Sequence, residues 1–275
     1  MRFRFVICCL AAQALTAQTP LPTQIPEVKF STGQDIVPVY EGWIRNRDGT
    51  LDMVFGYFNR NWKEEVAIPA GPENNIDPGG PDRGQPTYFL PRRQPFIFRV
   101  QVPQDWGQKT LTWTITAHGH TEKAYGELLP VEEITERIIM TRGNLNPGDD
   151  DPNQPPSIKI APVEAASVTS PLTLTALVID DGLPKPRPLP KPRSTTGPAG
   201  QINLTTGSRP RGLTVTWLEY RGPAKVSFDP SGPIAVSDGK AVATARFAAP
   251  GKYVLRATAN DGALSTRVDI AITVN

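Results

Sequence analysis

Apolar and polar residues alternate with a period of two in two clear stretches of the chain. In residues 96–102, Phe, Phe, Val and Val alternate with Ile, Arg and Gln, and in residues 111–117, Leu, Trp, Ile and Ala alternate with threonines. Successive side chains of a β-strand point to opposite faces, so this pattern is typical of a strand with one buried face. We therefore predict β-strands in both stretches.

Residues 28–140 contain further short runs of strand-forming residues, and we predict that they form a first β-sandwich domain. An Asp48-Gly49 turn joins two runs into a hairpin. Residues 69–86 are rich in Pro, Gly, Asn and Asp, which predicts a long loop. Apolar residues at helical spacing after Pro130 predict one short helix. The other predicted strands are 37–44, 51–59 and 63–68.

A second domain is predicted over residues 157–275, after a Pro/Asp-rich linker at 141–156 whose residues cannot build a core. The chain has 30 prolines, 23 glycines and little helical periodicity. Short strands with such punctuation predict an all-β fold, with two immunoglobulin-like β-sandwich domains in tandem after a signal peptide. The predicted strands of the second domain are 172–179, 213–218, 225–228, 241–247, 253–259 and 264–274, the last two joined by Asn260-Asp261-Gly262.

The signal peptide is predicted at residues 1–17. Arg2 and Arg4 give a basic start, an apolar run follows, and Ala14 and Ala17 place small residues at its end. Cleavage is expected after Ala17, with Ala14 as the alternative. The apolar run is shorter than the roughly 20 residues of a membrane-spanning helix. We therefore expect an exported protein without a membrane span, either periplasmic or extracellular.

Removal of this segment changes the chemistry of the mature chain. Cys8 and Cys9, the only cysteines, both lie within it, so neither a disulfide nor a thiolate site is expected. The whole chain has 29 basic and 27 acidic side chains, and loss of Arg2 and Arg4 leaves 27 of each. Such a balance gives no general attraction to nucleic acid, so we predict no nucleic-acid partner.

The second domain carries an ordered set of segments that resembles a known family. Asn153-Gln154-Pro155-Pro156 opens it, and LTLTALVIDDGLP, LTVTWLEYRGPAKVSF, ATARFAAPGKYVLRATANDGALS and VDIAITV follow. The set resembles PKD-type domains, immunoglobulin-like sandwiches common in bacterial exported proteins. The resemblance implies that Trp217 is the core tryptophan and that residues 250–253 lead into a central strand. It also implies a spacer or a protein- or carbohydrate-contact module rather than a catalyst.

Residues 184–211 depart from that family as an insert rich in proline and basic side chains. Such a sequence predicts an extended, polyproline-like segment. It could tether an anionic polymer or partner, or be a surface loop that costs little stability. The first domain, with YEGWIRNRDGT and FGYFNRNW, resembles uncharacterised exported bacterial proteins of acidobacterial type, which implies no activity.

Catalytic residues are not predicted. His118 and His120 are the only histidines. On an extended strand they would share a face and could bind a metal together with Glu122, whereas at a turn they are two exposed side chains. A Ser-His-Asp triad would need one of them, and the sequence has no Gly-x-Ser-x-Gly motif. We therefore predict that the protein is not an enzyme.

Calcium is the one ion that the acidic residues could bind. Flexible acid-rich loops supply the oxygen ligands that Ca²⁺ takes. The same residues also suit ordinary turns, and this second interpretation is favoured. The candidate ligands are Asp149, Asp150, Asp151, Asp180, Asp181 and Asp261.

Aromatic residues of the first domain offer a candidate ligand-binding surface. Phe55 and Tyr57 occupy one face of a predicted strand, and Val54 and Phe58 the other. A sandwich strand needs only one apolar face, so the second is either covered or a contact surface. Packing in the core or loops is the favoured interpretation. The rings that could stack on sugars are Tyr57, Trp62, Tyr88 and Trp106.

The sequence as a whole predicts a non-catalytic exported binding or scaffold protein of the bacterial envelope or extracellular space. Its predicted partners are a protein or a polysaccharide at the cell envelope, and Ca²⁺ is its only candidate cofactor. The alternative is a carbohydrate-binding accessory module or a weak glycan-active hydrolase. An exposed row of aromatic rings would favour the alternative, and buried rings would favour the scaffold.

Overall fold

A computed structural model describes residues 29–143, 152–163, 165–185 and 212–275 of the chain. These residues form sixteen strands, a single turn of 3₁₀ helix at Pro130–Glu132 and one α-helix, α1, at Glu136–Met140. The all-β prediction is confirmed. The strands are β1 (Ile36–Arg45), β2 (Leu51–Asn59), β3 (Val66–Ala67), β4 (Asn74–Asp77), β5 (Tyr88–Phe89), β6 (Arg92–Val102), β7 (Leu111–Ala117), β8 (His120–Gly126), β9 (Ser157–Ile160), β10 (Leu172–Ile179), β11 (Thr214–Arg221), β12 (Val226–Asp229), β13 (Ile234–Ala235), β14 (Lys240–Phe247), β15 (Gly251–Asn260) and β16 (Ser265–Val274).

The first domain is a sandwich of two three-stranded sheets, ordered β1-β2-β6 and β4-β7-β8, with the short pair β3-β5 beside them. Alternating apolar side chains of the two sheets meet in one core. The ring of Trp113 on β7 lies edge-on to Phe55 of β2 and Phe98 of β6, with ring centres 6.1 and 4.8 Å apart. Such aromatic packing fixes the two sheets face to face.

Strand β4 lies inside the segment that the sequence predicts to be a long loop. Its only apolar residue, Ile76, is buried in the core, and the side-chain amide of Asn74 supplies the other buried contact of the strand. The Asn74 Nδ2 donates to the carbonyls of Ile68 (3.0 Å) and Pro86 (2.8 Å), and its Oδ1 accepts from Trp113 Nε1 (2.9 Å). A buried amide with this many partners loses little on leaving water. The loop prediction is therefore wrong over Asn74–Asp77.

Helix α1 covers the second apolar face of β2. Val54 is fully buried there, in a small cluster with Ile44, Phe96 and Ile139 of the helix. The Thr135 side chain caps the helix by accepting from the Ile138 N–H. The short helix predicted after Pro130 is thus present, and it closes a face that would otherwise be exposed.

The second domain has the strand order of an immunoglobulin-like sandwich. One sheet is ordered β12-β14-β10-β9 and the other β13-β11-β15-β16. The chain just before β10 also forms a parallel bridge, from Ala166 to Val274 of β16. Trp217 and Tyr253 are buried in the core between the sheets, so the core position that the family resemblance implies for Trp217 is confirmed.

The two sheets of the second domain differ in how far their outer faces are covered. Strands β10 and β14 alternate between buried and accessible residues, as expected where one face meets solvent. Strand β11 does not alternate in this way, and in β15 the buried Arg256 interrupts the alternation, because their second face is partly covered. Their second face packs on the first domain, where Tyr220 joins the first domain's core and Leu218 and Val254 pack against it.

Three sequence predictions fall wholly or partly outside the described residues. They are the signal peptide at 1–17, half of the linker at 141–156, and nearly all of the insert at 184–211. Within the part of the chain that the structure describes, no helix is both long and apolar enough to cross a membrane.

Candidate functional site at the junction of the two domains

The end of strand β11 is joined to the first domain by hydrogen bonds in both directions. The Thr87 N–H donates to the Tyr220 carbonyl, and the Gly222 N–H donates to Thr87 Oγ1, each at 3.2 Å. The Tyr220 hydroxyl donates to the carbonyl of Gly84. The Tyr220 ring of the second domain is therefore inserted into the core of the first domain.

Arg256 of β15 occupies the centre of the junction. Its guanidinium forms a two-pronged ion pair with Asp269 of β16, with N–O distances of 2.7 and 2.8 Å. Its Nη1 donates to the Ile97 carbonyl of the first domain, and its charge lies 3.9 Å from the centre of the Tyr220 ring. Burial opposes the charge, but Asp269 outweighs it and raises the pKa of Arg256. The Arg256 side chain is therefore charged, and its guanidinium contacts the Asp269 carboxylate, the Ile97 carbonyl and the Tyr220 ring.

Ion pairs lie along the rim of the junction. Arg221 contacts both carboxylate oxygens of Asp82 at 2.8 Å, and Lys225 Nζ lies 3.0 Å from Glu65. Partial burial opposes ionisation of Asp82, yet the Gly84 N–H and the Arg221 guanidinium together lower its pKa. These exposed ion pairs set the alignment of the two domains, and they contribute little to the free energy of unfolding.

Glu219 is a buried carboxyl group beside the rim. One oxygen, Oε2, accepts from the Val226 N–H at 2.8 Å, and the other is buried without a hydrogen-bond partner. Burial, together with the nearby Glu65 carboxylate, raises the pKa of Glu219 to about 8. A carboxyl group in this setting is neutral at pH 7.

Three cavities open along the junction, each lined by residues of both domains. The largest, about 650 Å³, lies between the Pro69-Ala70 loop and the ends of β15 and β16. A second, about 300 Å³, lies beside Glu65, Tyr88 and Glu219. The third, about 330 Å³, is lined by arginines. The junction thus combines buried charge, cavities and residues from both domains, as binding sites between domains do.

The four aromatic residues proposed for sugar stacking do not form one exposed surface. Tyr57, Tyr88 and Trp106 are buried. Their polar atoms have internal partners, since Tyr57 Oη accepts from the Leu90 N–H, Tyr88 donates to Glu65 and Trp106 donates to the Lys109 carbonyl. Trp62 is 38% exposed. The stacking hypothesis is therefore corrected for three of its four residues, because their rings are part of the protein's own packing.

Trp62 differs from the other three because its ring is partly accessible. The ammonium of Lys29 and the guanidinium of Arg92 lie 4.4 and 4.2 Å from the centre of that ring. A sugar would have to compete with these cations for the ring face.

The candidate calcium ligands meet in part at one end of the second domain. Asp261 is buried, and its oxygens accept from the N–H groups of Ala263 and Leu264 and from the side chain of Asn153. Asp181 accepts from the backbone N–H groups of Gln154 and Leu183. The bonds from Leu183, Ala263 and Leu264 are those of local turns, whereas Asn153 and Gln154 donate from the segment that opens the domain.

Asp180 is less well satisfied than its neighbours. One oxygen accepts from the Gly182 N–H, and the other is buried without a hydrogen-bond partner. Burial and the nearby carboxylates of Asp261 and Asp181 raise the pKa of Asp180. No group of three or more His, Cys, Asp or Glu side chains in the described ranges is placed to hold a metal ion. Asp149, Asp150 and Asp151 lie outside those ranges.

The two histidines lie at the turn between β7 and β8 rather than on one extended strand. His118 and Gly119 both have positive φ angles, 50° and 79°, as a tight hairpin turn requires. His118 Nε2 lies 3.2 Å from a Glu64 carboxylate oxygen. The shared strand face that a metal site would need is thus lost at the turn.

The residues of the junction were not predicted from the sequence, although one signal was present. In TVTWLEYR of β11, apolar or aromatic residues stand on both faces. Val215 and Trp217 lie on one face, and Leu218 and Tyr220 lie on the other. A sandwich strand that is apolar on both faces has a second surface to cover. That reasoning was applied to β2 but applies equally to β11.

Comparison with known proteins gives only distant structural likenesses. No family model and no curated protein matches the sequence. The D00-D0 domain of intimin aligns at 13% identity over 88% of this chain and 100% of its own, with a TM-score of 0.28. Fibronectin(III)-like modules of Clostridium thermocellum CbhA align at 11% identity over 82% of this chain and 85% of their own, with a TM-score of 0.25. Superpositions this loose support no inference about function.

Proposed function

We propose that the chain is a non-catalytic binding or scaffold protein, exported to the bacterial envelope or extracellular space, in which a PKD-type second domain holds the first in a fixed orientation. The observation that carries this proposal is the burial of Tyr220, a residue of the second domain, in the core of the first. A side chain in a neighbouring core must leave it before the domains can reorient.

The chemistry of the junction supports a rigid unit. Arg256 brings its charge between the domains and satisfies it with Asp269, the Ile97 carbonyl and the Tyr220 ring. Separation of the domains would break these contacts and expose apolar surface on both sides. Domains usually move relative to each other unless their interface is large and hydrophobic. A scaffold that must present a surface in one direction gains from such an interface.

Distance measurements between two spin labels test the rigid unit. The predicted mature chain has no cysteine, so Lys123→Cys on β8 and Arg246→Cys on β14 place unique labels on exposed positions of the two domains. We expect a distance distribution as narrow as that of Arg47→Cys with Lys123→Cys, a pair within the first domain. A broad distribution for the first pair alone would contradict the proposal.

Glycan binding and hydrolysis test the non-catalytic role. On a glycan array and in reducing-end assays with polysaccharides, we expect neither retention nor release of sugar by the mature chain. Retention that is lost in Trp62→Ala and kept in Tyr125→Ala, whose ring is 59% exposed, would establish the carbohydrate-binding alternative. Release of reducing ends would show a hydrolase.

Export is tested by sequencing the N-terminus of the protein recovered from outside the cytoplasm. Cleavage after Ala17 gives a chain that begins at Gln18, and cleavage after Ala14 gives one that begins at Leu15. A protein that keeps Met1 and stays in the cytoplasm would overturn the location and with it the proposed role.

A further inference from the structure

A cavity of about 330 Å³ lies between the two domains and is lined by three arginines. Arg99 comes from β6 of the first domain, while Arg256 and Arg267 come from β15 and β16 of the second. Asp269 is the one acidic residue of its lining. The cavity therefore brings positive charge from both domains to one place.

Two of these arginines have counter-charges of their own. Arg99 Nη2 lies 2.6 Å from Glu136 Oε2, and its Nη1 is 3.8 Å from Asp52. Arg256 is held by both oxygens of Asp269. Both guanidinium groups are thus neutralised by carboxylates that are already engaged.

Arg267 is the exception. Its Nη1 donates to the Phe96 carbonyl. Among residues 29–143, 152–163, 165–185 and 212–275, no carboxylate lies within ion-pair distance of its guanidinium. Burial, followed by the like charges of Arg256, Arg142 and Arg99, lowers the pKa of Arg267 to about 10, and the Asp269 carboxylate offsets them only in part. Arg267 is therefore a cation, largely removed from water, in surroundings that already carry positive charge.

A cation that is only partly exposed to water and has no ion-pair partner is costly, because nearby protein groups replace only part of the water that would solvate it. The guanidinium has five N–H donors, and the Phe96 carbonyl takes one position of that fork. Its remaining donors match the geometry of an oxyanion, which a guanidinium binds with two parallel hydrogen bonds.

We propose that the cavity between β6, β15 and β16 binds a small oxyanion, a carboxylate, sulfate or phosphate group, with Arg267 as its principal ligand. The anion supplies the charge that Arg267 lacks and contacts both domains, so it also strengthens the junction. Arg256 orients the site through its contacts with Tyr220 and Ile97. This inference does not depend on the proposed scaffold role.

Titration calorimetry and thermal melting of the mature chain test the site. The probes are inorganic phosphate, sulfate and citrate at low millimolar concentration, each compared with chloride at equal ionic strength. We expect one saturable site, and a midpoint raised by roughly 3 °C at ten times the dissociation constant, because only the folded state binds. The probe with the largest shift identifies the class of oxyanion.

Matched variants separate a specific site from general salt effects, since sulfate and phosphate also stabilise proteins by exclusion from their surfaces. Arg267→Met should lose both the saturable heat and the shift. Arg246→Met, which removes an exposed arginine of β14, should keep both. If Arg267→Met does not fold, Arg267→Lys should fold and bind at least tenfold more weakly. Equal responses in the wild-type and Arg267→Met proteins, or no saturable heat in the wild type, would overturn the proposal.

Discussion

The guanidinium of Arg256 lies against the ring of Tyr220, 3.9 Å from its centre, at the point where the two domains meet. Both residues belong to the second domain, yet both make contacts in the first: Tyr220 in its core and Arg256 with the Ile97 carbonyl. The pair combines a buried ring with a paired charge. Its energetic importance can be measured one residue at a time.

Removal of the Tyr220 ring should destabilise the whole molecule. Tyr220→Ala leaves a cavity in the first domain and removes the ring beneath Arg256, and large-to-small changes of this kind cost about 3 kcal/mol or more of unfolding free energy. Urea denaturation measures the loss. Tyr125→Ala, at an exposed ring, should change the free energy by less than about 0.5 kcal/mol. Equal effects in the two variants would show that Tyr220 does not couple the domains.

Loss of the Asp269 charge should cost more than loss of the Asp82 charge. Asp269→Asn leaves the buried Arg256 without its counter-ion, and with partial screening by solvent we expect a loss of about 2 kcal/mol. Asp82→Asn removes an exposed partner of Arg221, for which less than about 1 kcal/mol is expected. Urea denaturation in low and high salt measures both losses of unfolding free energy and shows which is larger. A larger effect at Asp82 would contradict the assignment of Arg256 as the buried centre.

Glu219 should make the stability of the protein depend on pH. Burial raises its pKa from 4.5 to about 8 in the folded protein. Between these values the folded state holds a proton that the unfolded state has released, so the free energy of unfolding falls as the pH rises through this window. In Glu219→Gln, which cannot titrate, this contribution should vanish and the protein should gain stability relative to the wild type at about pH 8.

Urea denaturation at several pH values between 5 and 9 measures the effect of Glu219→Gln, and Glu73→Gln serves as its control because Glu73 is exposed. The control should keep the wild-type slope. A Glu219→Gln protein with an unchanged slope would show that the carboxyl group is ionised in the folded state at neutral pH.

Calcium is tested by thermal melting at millimolar Ca²⁺ and with chelator. We expect identical midpoints of thermal unfolding, because the oxygens of Asp181 and Asp261 already accept hydrogen bonds from backbone N–H groups. A melting temperature that Ca²⁺ raises in the wild type but not in Asp180→Asn would show instead that the unpartnered Asp180 oxygen is a ligand. The other ligands of such a site would be groups other than the carboxylates of Asp181 and Asp261.

Strand positions were predicted best where alternation is strict. The predicted bounds 111–117 and 172–179 are those of β7 and β10, because each strand presents a regular apolar face to its own domain's core. Strand β4 was missed because its order depends on the Asn74 amide and its three partners. Those partners lie 6, 12 and 39 positions from Asn74, and no period-two pattern of apolar residues reports them.

The junction could be predicted only in part for the same reason. The apolar residues on both faces of β11 indicate that something covers it, but they do not identify the cover. Arg256 and Ile97 are 159 positions apart in the sequence. Arg267 is marked as unusual only because no carboxylate of the described residues lies within ion-pair distance of it. Long-range charge balance of this kind is a property of the folded molecule.

The packing of the second face of β11 and of part of β15 on the first domain also has an evolutionary consequence. Immunoglobulin-like domains are often exchanged between proteins as independent units, which requires that each leave the exchange with its outer faces intact. Recombination at the linker would separate the second domain from the first. The second face of these strands and the Tyr220 ring would then be exposed. The two domains should therefore be inherited together, and substitutions around Gly84, Phe96 and Ile97 should be matched by substitutions in β11, β15 and β16.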